Sequence, residues 1–302
     1  MTSGPDIWRC GTFDVSLGRP LVMGILNVTP DSFSDGGRFV GAGGMDVQAA
    51  LEAGRQLVRD GADIVDVGGE STRPGAMSVH PAVEADRVLP VIGPLSTARL
   101  GAAAVPLSVD TRHAEVAATA LAAGASIIND VSGLTSAGML KVAVGSSAGL
   151  VVMHMRGKPL TMQDEPVYDS VVEEVVDWLR ERTACLEDAG IAHDRIAVDP
   201  GIGFGKTAEH NLELLQRLDE IVELGYPVVV GVSRKRFIGV VLDADDPADR
   251  LEGSLAAAVW AASKGASVIR AHDVAATAKA LRVTAAIAAG RLVGPEAGWA
   301  DE

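Results

Sequence analysis

Short apolar runs that each end at a polar residue dominate the hydrophobic pattern of this chain. Four of them share a block in which a glycine opens the run and the polar residue follows five positions later: residues 61–66, 124–129, 149–154 and 265–270. Within each run the apolar residues are consecutive and do not alternate with polar ones. This pattern is typical of parallel strands buried on both faces. Because glycine adopts positive φ without a steric penalty, we expect the glycine of each block to cap a preceding helix.

The same pattern predicts four further strands, at residues 21–26, 106–109, 195–198 and 228–232. Helical periodicity lies between the strands, most clearly at residues 45–59, 114–123, 171–188, 208–224 and 251–263. Eight buried strands that alternate with helices over about 250 residues predict an α/β fold of the (β/α)8 TIM barrel type, rather than an open doubly wound sheet.

No linker rich in Pro, Gly or Ser divides the chain, so we predict a single domain. Residues 1–20 are expected to form a short cap over the N-terminal mouth of the barrel, with Trp8 and Phe13 as its apolar contacts. The barrel is predicted to span residues 21–290, and residues 291–302 form a C-terminal tail.

Composition and charge narrow the class of protein. The chain has 302 residues, of which 48% are hydrophobic, so it can bury a substantial core. It has two cysteines, no N-terminal signal pattern and no apolar run near the roughly 18 residues that span a bilayer, so we expect a cytoplasmic protein. The net charge of −14 disfavours nucleic acid and membranes as partners, and an anionic ligand would need local positive charge.

In such a barrel the C-terminal ends of the strands converge on the face where active sites are built. The polar groups delivered there are Asn27, Asp66, Glu70, Asp110, Asn129, His154, Asp199, Ser233, Lys235, Arg270 and His272. Burying so many polar groups is costly without a ligand, so we interpret the set as a binding site. For Asp66, Glu70 and His154 individually, a structural and a functional role both stay open.

Two kinds of chemistry are present in this region. One group offers carboxylate and amide acceptors beside a cation: Asp110, Asn129, Asp199 and Lys235. It suits a flat heterocycle with a guanidine-like edge, such as a pterin or guanine, because a carboxylate accepts two parallel hydrogen bonds from adjacent N–H groups. A second group is cationic and rich in donors, which suits phosphate oxygens: Ser71, Thr72, Arg73, Arg270 and His272.

The segment Gly-Ile-Gly-Phe-Gly-Lys at residues 201–206 follows a predicted strand but matches no nucleotide-binding loop. A Walker loop would need glycine at Pro200, and Lys206 occupies the place of the third glycine of the dinucleotide fingerprint. We expect the small residues to let the backbone pass close to a bound ring, with Phe204 as a wall. A simple tight turn between strand and helix is the alternative.

Together these motifs resemble the dihydropteroate synthase family over about residues 8–290. The resemblance lies in MGILNVTPDSFSDGG at 23–37, DVGGESTRPG at 66–75, SVDT at 108–111, INDVSG at 128–133, MHM at 153–155, DPGIGFGK at 199–206, SRKRFIG at 233–239 and RAHD at 270–273. One departure is Leu134, where many members have a second glycine, and it leaves the path of that loop open.

The resemblance implies a transferase of folate biosynthesis that condenses 6-hydroxymethyl-7,8-dihydropterin diphosphate with p-aminobenzoate to give 7,8-dihydropteroate and pyrophosphate. It assigns the pterin to Asp110, Asn129, Asp199 and Lys235, and the diphosphate to Thr72, Arg73, Arg270 and His272. The p-aminobenzoate site, where sulfonamides compete, would consist of Phe33, Pro74, Ser233 and Arg234. Asn27 would bind Mg²⁺ through its side-chain oxygen.

The catalytic residues on this interpretation are Asp35, Lys235, Arg270 and His272, acting in a carbocation-like displacement. Asp35 would stabilise the pterin cation, while the cations and Mg²⁺ stabilise the departing pyrophosphate. The resemblance also implies a homodimer. Two alternatives stay open at this point: a pterin-binding methyltransferase module, and a non-catalytic paralogue that binds pterins.

Overall fold

A computed structural model describes residues 5–29, 40–41, 44–71, 78–98, 104–157, 162 and 166–291. Its twelve strands are β1 (Ile7–Cys10), β2 (Phe13–Ser16), β3 (Leu21–Asn27), β4 (Val40–Gly41), β5 (Gly44–Met45), β6 (Ile64–Gly68), β7 (Leu107–Asp110), β8 (Ile127–Asp130), β9 (Gly149–Met153), β10 (Ile196–Asp199), β11 (Val229–Gly231) and β12 (Val268–Ala271). The described helices are α1 (Val47–Arg59), α2 (Pro81–Thr97), α3 (Ala114–Ala122), α4 (Ala137–Val144), α5 (Val171–Asp188), α6 (Ala208–Gln216), α7 (Leu218–Val222), α8 (Arg236–Leu242), α9 (Leu251–Ser263) and α10 (Val274–Ala289).

Eight of the strands form one parallel sheet in the order β10-β9-β8-β7-β6-β3-β12-β11. A parallel bridge between Val198 and Val228 joins its two edges, so the sheet closes into a barrel. Helices connect successive strands, as parallel pairing requires. The predicted (β/α)8 barrel is therefore confirmed.

The glycine pattern is confirmed at three of the four blocks. Gly61, Gly124 and Gly265 follow α1, α3 and α9 with φ of 101°, 110° and 103°, a conformation that glycine adopts without strain. The fourth prediction is wrong, because Gly149 is the first residue of β9. An added Cβ there would lie 2.5 Å from the Cys10 sulfur, so close packing explains this glycine.

The helices differ from the predicted ones where one of them is interrupted and where α2, α4 and α8 lie outside the predicted helices. The predicted helix at 208–224 is interrupted at Arg217 and forms α6 and α7. The pattern predicted no helix where α2 lies, because Pro90 and Pro94 fall inside it and an interior proline removes a helical hydrogen bond. His80 caps the start of α2 by accepting from the Ala82 N–H, and Pro81 fits the first turn.

The hairpin of β1 and β2 covers the N-terminal end of the barrel. Trp8 and Cys10 are fully buried there among Met23, Ile64 and Ile127 of the barrel strands, and Phe13 packs against the same cluster. The Trp8 indole N–H donates to the Arg195 carbonyl oxygen at 3.0 Å. The proposed division of the chain at residues 20 and 290 stays a prediction. Within the described ranges, the search for a helix that could span a membrane found none.

Candidate active site

The C-terminal ends of the barrel strands bring the predicted ring-binding residues together. Asp110 ends β7, Asn129 lies in β8 and Asp199 ends β10, and all three side chains are buried. Each of these polar residues follows an apolar run that is buried in the barrel wall. Burial of the run therefore places the polar residue at the mouth of the barrel. The structure thus places acceptors from three strands around one space.

Arg270 of β12 reaches across the mouth to β6 and β7. Its Nε donates to an Asp66 carboxylate oxygen at 2.6 Å, and its Nη2 donates to Asp110 Oδ2 at 2.7 Å. Burial raises the pKa of Asp110, and Arg270 opposes that rise. Burial alone would lower the pKa of Arg270, but the two carboxylates raise it above its ordinary value.

Asp66 connects this cation to the amide of Asn129. The Asn129 Nδ2 donates to the Asp66 oxygen that also accepts from Arg270, at 3.1 Å. The contact turns the Asn129 amide so that its nitrogen faces Asp66 and its carbonyl oxygen faces elsewhere. Asp66 is fully buried and contacts two predicted site residues through one oxygen, while its other oxygen, Oδ1, has no hydrogen-bond partner among the described residues. A structural and a functional role for Asp66 therefore both stay open.

Lys235 follows β11 and lies opposite Asp199. Burial lowers the pKa of Lys235 to about 8, and the Asp199 carboxylate opposes that decrease. Burial likewise raises the pKa of Asp199, against the effect of Lys235. The ammonium donates to the Ile202 carbonyl oxygen and lies 4.7 Å from the centre of the Phe204 ring. A carboxylate and an ammonium, both poorly hydrated, therefore face the same space.

The glycine-rich loop after β10 is shaped by contacts within the protein. Gly201 and Gly205 have positive φ, and an added Cβ would collide with the carbonyl oxygens of His154 and Arg156 at 1.8 and 2.2 Å. These contacts favour the tight turn as the reason for both glycines. Phe204 as a wall for a bound ring stays a prediction.

Lys206 holds that loop in place through hydrogen bonds. Its Nζ is buried and donates to the carbonyl oxygens of Gly201 and Phe204, each at 3.1 Å, and to His154 Nδ1 at 2.9 Å. Burial lowers the pKa of His154 to about 2, and the Lys206 cation adds to this effect. His154 is thus a neutral acceptor that supports the loop.

Further described candidates lie at the ends of β11, β12 and β3. The His272 Nδ1 and backbone N–H both contact the Ser233 hydroxyl, at 3.0 and 3.2 Å. The Arg234 guanidinium donates to both oxygens of Asp273, at 2.9 and 2.6 Å. Phe33, Asp35, Thr72, Arg73 and Pro74 lie outside the described residues.

Asn27 at the end of β3 has the donor chemistry of a hard-metal site. Its Oδ1 and an Asp110 carboxylate oxygen flank Gly68, where an added Cβ would lie 3.6 and 3.7 Å from the two atoms. Mg²⁺ prefers oxygen ligands and commonly takes one or two from the protein and the rest from phosphates and water. Asn27 therefore offers an oxygen ligand of the right chemistry, and a magnesium ion at this position stays a prediction.

A second polar network lies beside the site, and the sequence named Glu70 of this network as a candidate but not the partners of Glu70. Arg112 donates to both oxygens of Glu70 at 3.0 Å and to the Ser78 hydroxyl at 2.6 Å. Glu70 also accepts from the Val79 N–H, so it joins the two ends of the segment between Ser71 and Ser78. Burial would raise the pKa of Glu70, but these hydrogen bonds hold it below its ordinary value.

Glu84 and His113 complete this network with a 2.6 Å contact. One ligand atom from each of Glu70, Glu84 and His113 lies within 4.8 Å of the others, but Arg112 already supplies a cation there. The network therefore has a structural explanation. The signal that could have found it is the polar run Thr-Arg-His directly after the end of β7.

The comparisons with known proteins point to one family. The model of the pterin binding enzyme family matches residues 23–272. A dihydropteroate synthase of Neisseria meningitidis serogroup C is 45% identical over 284 residues, which cover 93% of this chain and 97% of that protein.

Solved structures extend the similarity to the fold. A dihydropteroate synthase of Xanthomonas albilineans with 4-aminobenzoic acid is 46% identical, with a TM-score of 0.86 over 95% of this chain and 99% of that one. A second structure from that organism, in complex with 7,8-dihydropteroate, is 43% identical, with a TM-score of 0.82 over 94% and 99% of the two chains. The chain therefore belongs to the pterin binding enzyme family and, within it, to the dihydropteroate synthases, which are transferases.

Proposed function

We propose that this chain condenses 6-hydroxymethyl-7,8-dihydropterin diphosphate with p-aminobenzoate at the C-terminal mouth of its barrel. The observation that carries the assignment of the site is the convergence of Asp110, Asn129, Asp199, Lys235 and Arg270 there. Among the described residues, the buried Asp110 Oδ1 has no hydrogen-bond partner. A buried acceptor left unpaired is costly, and a ligand N–H would satisfy it.

The pterin ring is assigned to the acceptors of β7, β8 and β10 with Lys235. The amino-pyrimidine edge of a pterin carries adjacent N–H groups, which pair with a carboxylate in two parallel hydrogen bonds. Lys235 supplies a donor for a ring acceptor, and Asn129 can supply its amide oxygen. Asp66 and Phe204 hold the side chains of Asn129 and Lys235 in place.

The diphosphate is assigned to Thr72, Arg73, Arg270 and His272. Breakage of the carbon–oxygen bond places negative charge on the departing pyrophosphate, and fixed cations beside it stabilise that charge as it develops. The carbon left behind is electron-poor and delocalised into the pterin, and Asp35 is the carboxylate assigned to stabilise it. The arylamine of p-aminobenzoate is already neutral, so its attack needs no strong base.

Asn27 is the residue assigned to hold Mg²⁺. The ion would add positive charge at the diphosphate oxygens when bound. Removal of divalent cations by chelation should abolish turnover, and added Mg²⁺ should restore it. Asn27→Asp, which keeps an oxygen ligand, should need no more Mg²⁺ than the wild type, whereas Asn27→Ala should need more.

The p-aminobenzoate site is assigned to Phe33, Pro74, Ser233 and Arg234. The hydrogen bonds between Ser233 and His272 support a p-aminobenzoate site next to the diphosphate site. Arg234 is held by Asp273, so its guanidinium is fixed rather than free to rotate. An Asp273→Asn variant should therefore raise the KM for p-aminobenzoate more than the KM for the pterin substrate.

One assay tests the reaction itself: pyrophosphate release from the pterin diphosphate, measured with and without p-aminobenzoate. Release that depends on p-aminobenzoate supports the proposal. Binding of the pterin without release in either case would indicate a non-catalytic paralogue. Methyl transfer from methyltetrahydrofolate to a corrinoid protein, with no release, would indicate the methyltransferase alternative.

Asp35 provides a sharper test of the mechanism. Asp35→Ala should lower turnover far more than it lowers the affinity for pterin diphosphate in the absence of p-aminobenzoate. Equal losses in both would show that Asp35 serves ground-state binding. Asp35→Asn, which keeps the shape but not the charge, separates the electrostatic effect from packing.

The homodimer is assigned to exposed apolar side chains on α8 and α10. Val240, Val241, Val283 and Ile287 are at least 60% exposed, and apolar side chains of this size in groups often mark an interface. Light scattering should give the mass of a dimer. Ile287→Lys should shift it toward the monomer, while Lys279→Gln on the same helix should not.

A further inference from the structure

Arg234, between β11 and α8, has a backbone conformation that residues with a side chain disfavour. Its φ is 57°, in the left-handed region, where a Cβ atom approaches the following carbonyl oxygen. Such conformations persist only when the surrounding structure holds them, and they cluster at functional sites. The groups that hold Arg234 are therefore candidates for a functional role.

Two hydrogen bonds hold the Arg234 backbone, one on each side of its Cα atom. The N–H donates to the Ser254 hydroxyl at 2.8 Å, and the carbonyl oxygen accepts from Arg250 Nη1 at 3.1 Å. The first bond fixes the peptide group before the Cα atom and the second fixes the one after it, so together they set φ and ψ. Ser254 also donates to the Arg250 carbonyl oxygen at 2.6 Å, which links the two partners. Arg250 and Ser254 are called the backbone clamp below.

Both residues of the backbone clamp are buried where α9 begins. Arg250 ends the 3-10 helix Pro247–Arg250, and Ser254 lies in the first turn of α9. Arg250 also donates to the carbonyl oxygens of Ala244, at 3.0 Å, and Asp245. One guanidinium thus holds three carbonyl oxygens, which suits the rigid planar fork of arginine and not the single ammonium of lysine.

Gly239 of α8 gives the backbone clamp its space. An added Cβ there would lie 2.5 Å from the Ala244 carbonyl oxygen and 2.7 Å from Arg250 Nε. A methyl group at this position would therefore push the guanidinium aside. A substitution of Gly239 can thus disturb the clamp without removing any of its hydrogen-bonding groups.

The residues on either side of Arg234 have supports of their own. Ser233 contacts His272 through its hydroxyl, and Lys235 donates to the Ile202 carbonyl oxygen. Neither of these supports involves the backbone clamp. Loss of the clamp should therefore move Arg234 more than it moves Ser233 or Lys235.

On the proposed function, in which Arg234 lies in the p-aminobenzoate site, we propose that Arg250 and Ser254 are positioning residues for that substrate. They hold the left-handed backbone of Arg234, and the ion pair with Asp273 holds its guanidinium. Without the clamp the backbone relaxes to negative φ, and the guanidinium leaves its place in the p-aminobenzoate site. The clamp acts through Arg234 and contacts no substrate itself.

Steady-state kinetics with each substrate varied in turn tests this role. Ser254→Ala should raise the KM for p-aminobenzoate about fivefold, the effect of one hydrogen bond, and Arg250→Lys about tenfold. Gly239→Ala should also raise it. The kcat and the affinity for pterin diphosphate, measured by calorimetry without p-aminobenzoate, should stay within about twofold.

Thr183→Ala is the matched control for Ser254→Ala. The Thr183 hydroxyl is also buried and also donates to the carbonyl oxygen four positions earlier, at 2.9 Å, but it lies on α5. Its loss should lower the free energy of unfolding and leave the KM for p-aminobenzoate unchanged. Denaturant unfolding of every variant shows that the kinetics are those of folded protein.

A double-mutant cycle separates positioning of Arg234 from a general loss of structure. Arg234→Gly adopts the left-handed conformation without strain but has no guanidinium, and it should raise the KM for p-aminobenzoate about 30-fold. In that background Ser254→Ala should add less than about twofold, because no guanidinium is left to position.

Two results would overturn the inference. One is an equal effect of Ser254→Ala with and without the Arg234 side chain. The other is a raised KM in Arg234→Gly with no effect of either Ser254→Ala or Arg250→Lys, which removes the inference and leaves the proposed function intact. If Arg234→Gly leaves the KM unchanged, the assignment of Arg234 to the p-aminobenzoate site fails and the inference with it. A wild type that releases no pyrophosphate removes the proposed function itself.

Discussion

The same strands form both ends of the barrel, but one end is apolar and the other is polar. At the N-terminal end, Trp8, Met23, Ile64 and Ile127 form an apolar cluster that the β1–β2 hairpin closes. At the C-terminal end, the same strands deliver buried carboxylates, amides and cations. Within a single strand, β6 begins at the fully buried Ile64 and reaches Asp66 two residues later.

The difference separates what stabilises this protein from what it binds. Apolar contacts at the closed end are satisfied within the chain, and their burial contributes to the free energy of unfolding. The open end buries polar atoms that are only partly paired, which costs stability unless a ligand completes the set. Changes at the closed end should therefore affect unfolding, and changes at the open end should affect binding.

Trp8→Ala should have the largest effect, a loss of about 3–5 kcal/mol in the free energy of unfolding. The change leaves a cavity at the closed end and removes the hydrogen bond to the Arg195 carbonyl. Denaturant unfolding measures the loss, and kcat/KM of the folded protein should stay within about twofold. Trp8→Phe, which keeps most of the volume, should lose much less. A large fall in kcat/KM would contradict the separation of the two ends.

Asp110→Asn should weaken pterin binding about 30- to 100-fold, roughly 2–3 kcal/mol, because an amide offers one acceptor oxygen instead of two. Asp130→Asn is the matched control at the same end. Asp130 is also buried, but its oxygens already accept from Ser132 and the Leu134 N–H. It should lose stability and keep its pterin affinity. Unchanged affinity in Asp110→Asn, measured by calorimetry, would remove Asp110 from the ring site.

Leu134 tests whether loops at the open end also contain purely structural residues. Its φ of 57° lies in the left-handed region, which glycine adopts without strain, yet its side chain is fully buried. Leu134→Gly should cost about 2 kcal/mol of unfolding free energy, because lost burial outweighs relief of about 1 kcal/mol of strain. Leu134→Ala should be less stable than Leu134→Gly, and the reverse order would show that the strain is negligible.

The smallest expected effect is a pH dependence at the open end. Burial lowers the pKa of Lys235 to about 8, so pterin affinity should fall about tenfold by pH 9 as the ammonium is lost. The effect on stability has the opposite sign. The folded protein binds fewer protons at Lys235 than the unfolded chain does. This group therefore adds to the free energy of unfolding as the pH rises from 8 toward the ordinary pKa of lysine. Calorimetry across this range checks the affinity. Lys235→Arg should remove the alkaline fall, and a fall that persists would assign it to another group.

Much of the fold was readable from the sequence because each barrel element satisfies a local rule. Continuous apolar runs specified the buried strands, and Gly61, Gly124 and Gly265 marked the ends of helices through their backbone freedom. Gly149 and α2 show where local rules fail. Residue 149 is glycine because Cys10 packs against it. α2 is helical although it contains Pro90 and Pro94, because the burial of Val88, Val91 and Ile92 outweighs the cost of the two prolines.

The sequence by itself determined which residues stand at the strand ends, and therefore the inventory of the site. Only the tertiary structure decided how they pair: Arg270 reaches 204 positions along the chain to Asp66, and Asn129 turns its amide toward the same carboxylate. It also showed that Lys206 and His154 contact each other and that Lys206 holds the carbonyl groups of the glycine-rich loop. The physical reason is that burial and backbone propensity act on neighbours in sequence, whereas pairing of charges depends on distances that exist only once the barrel is closed.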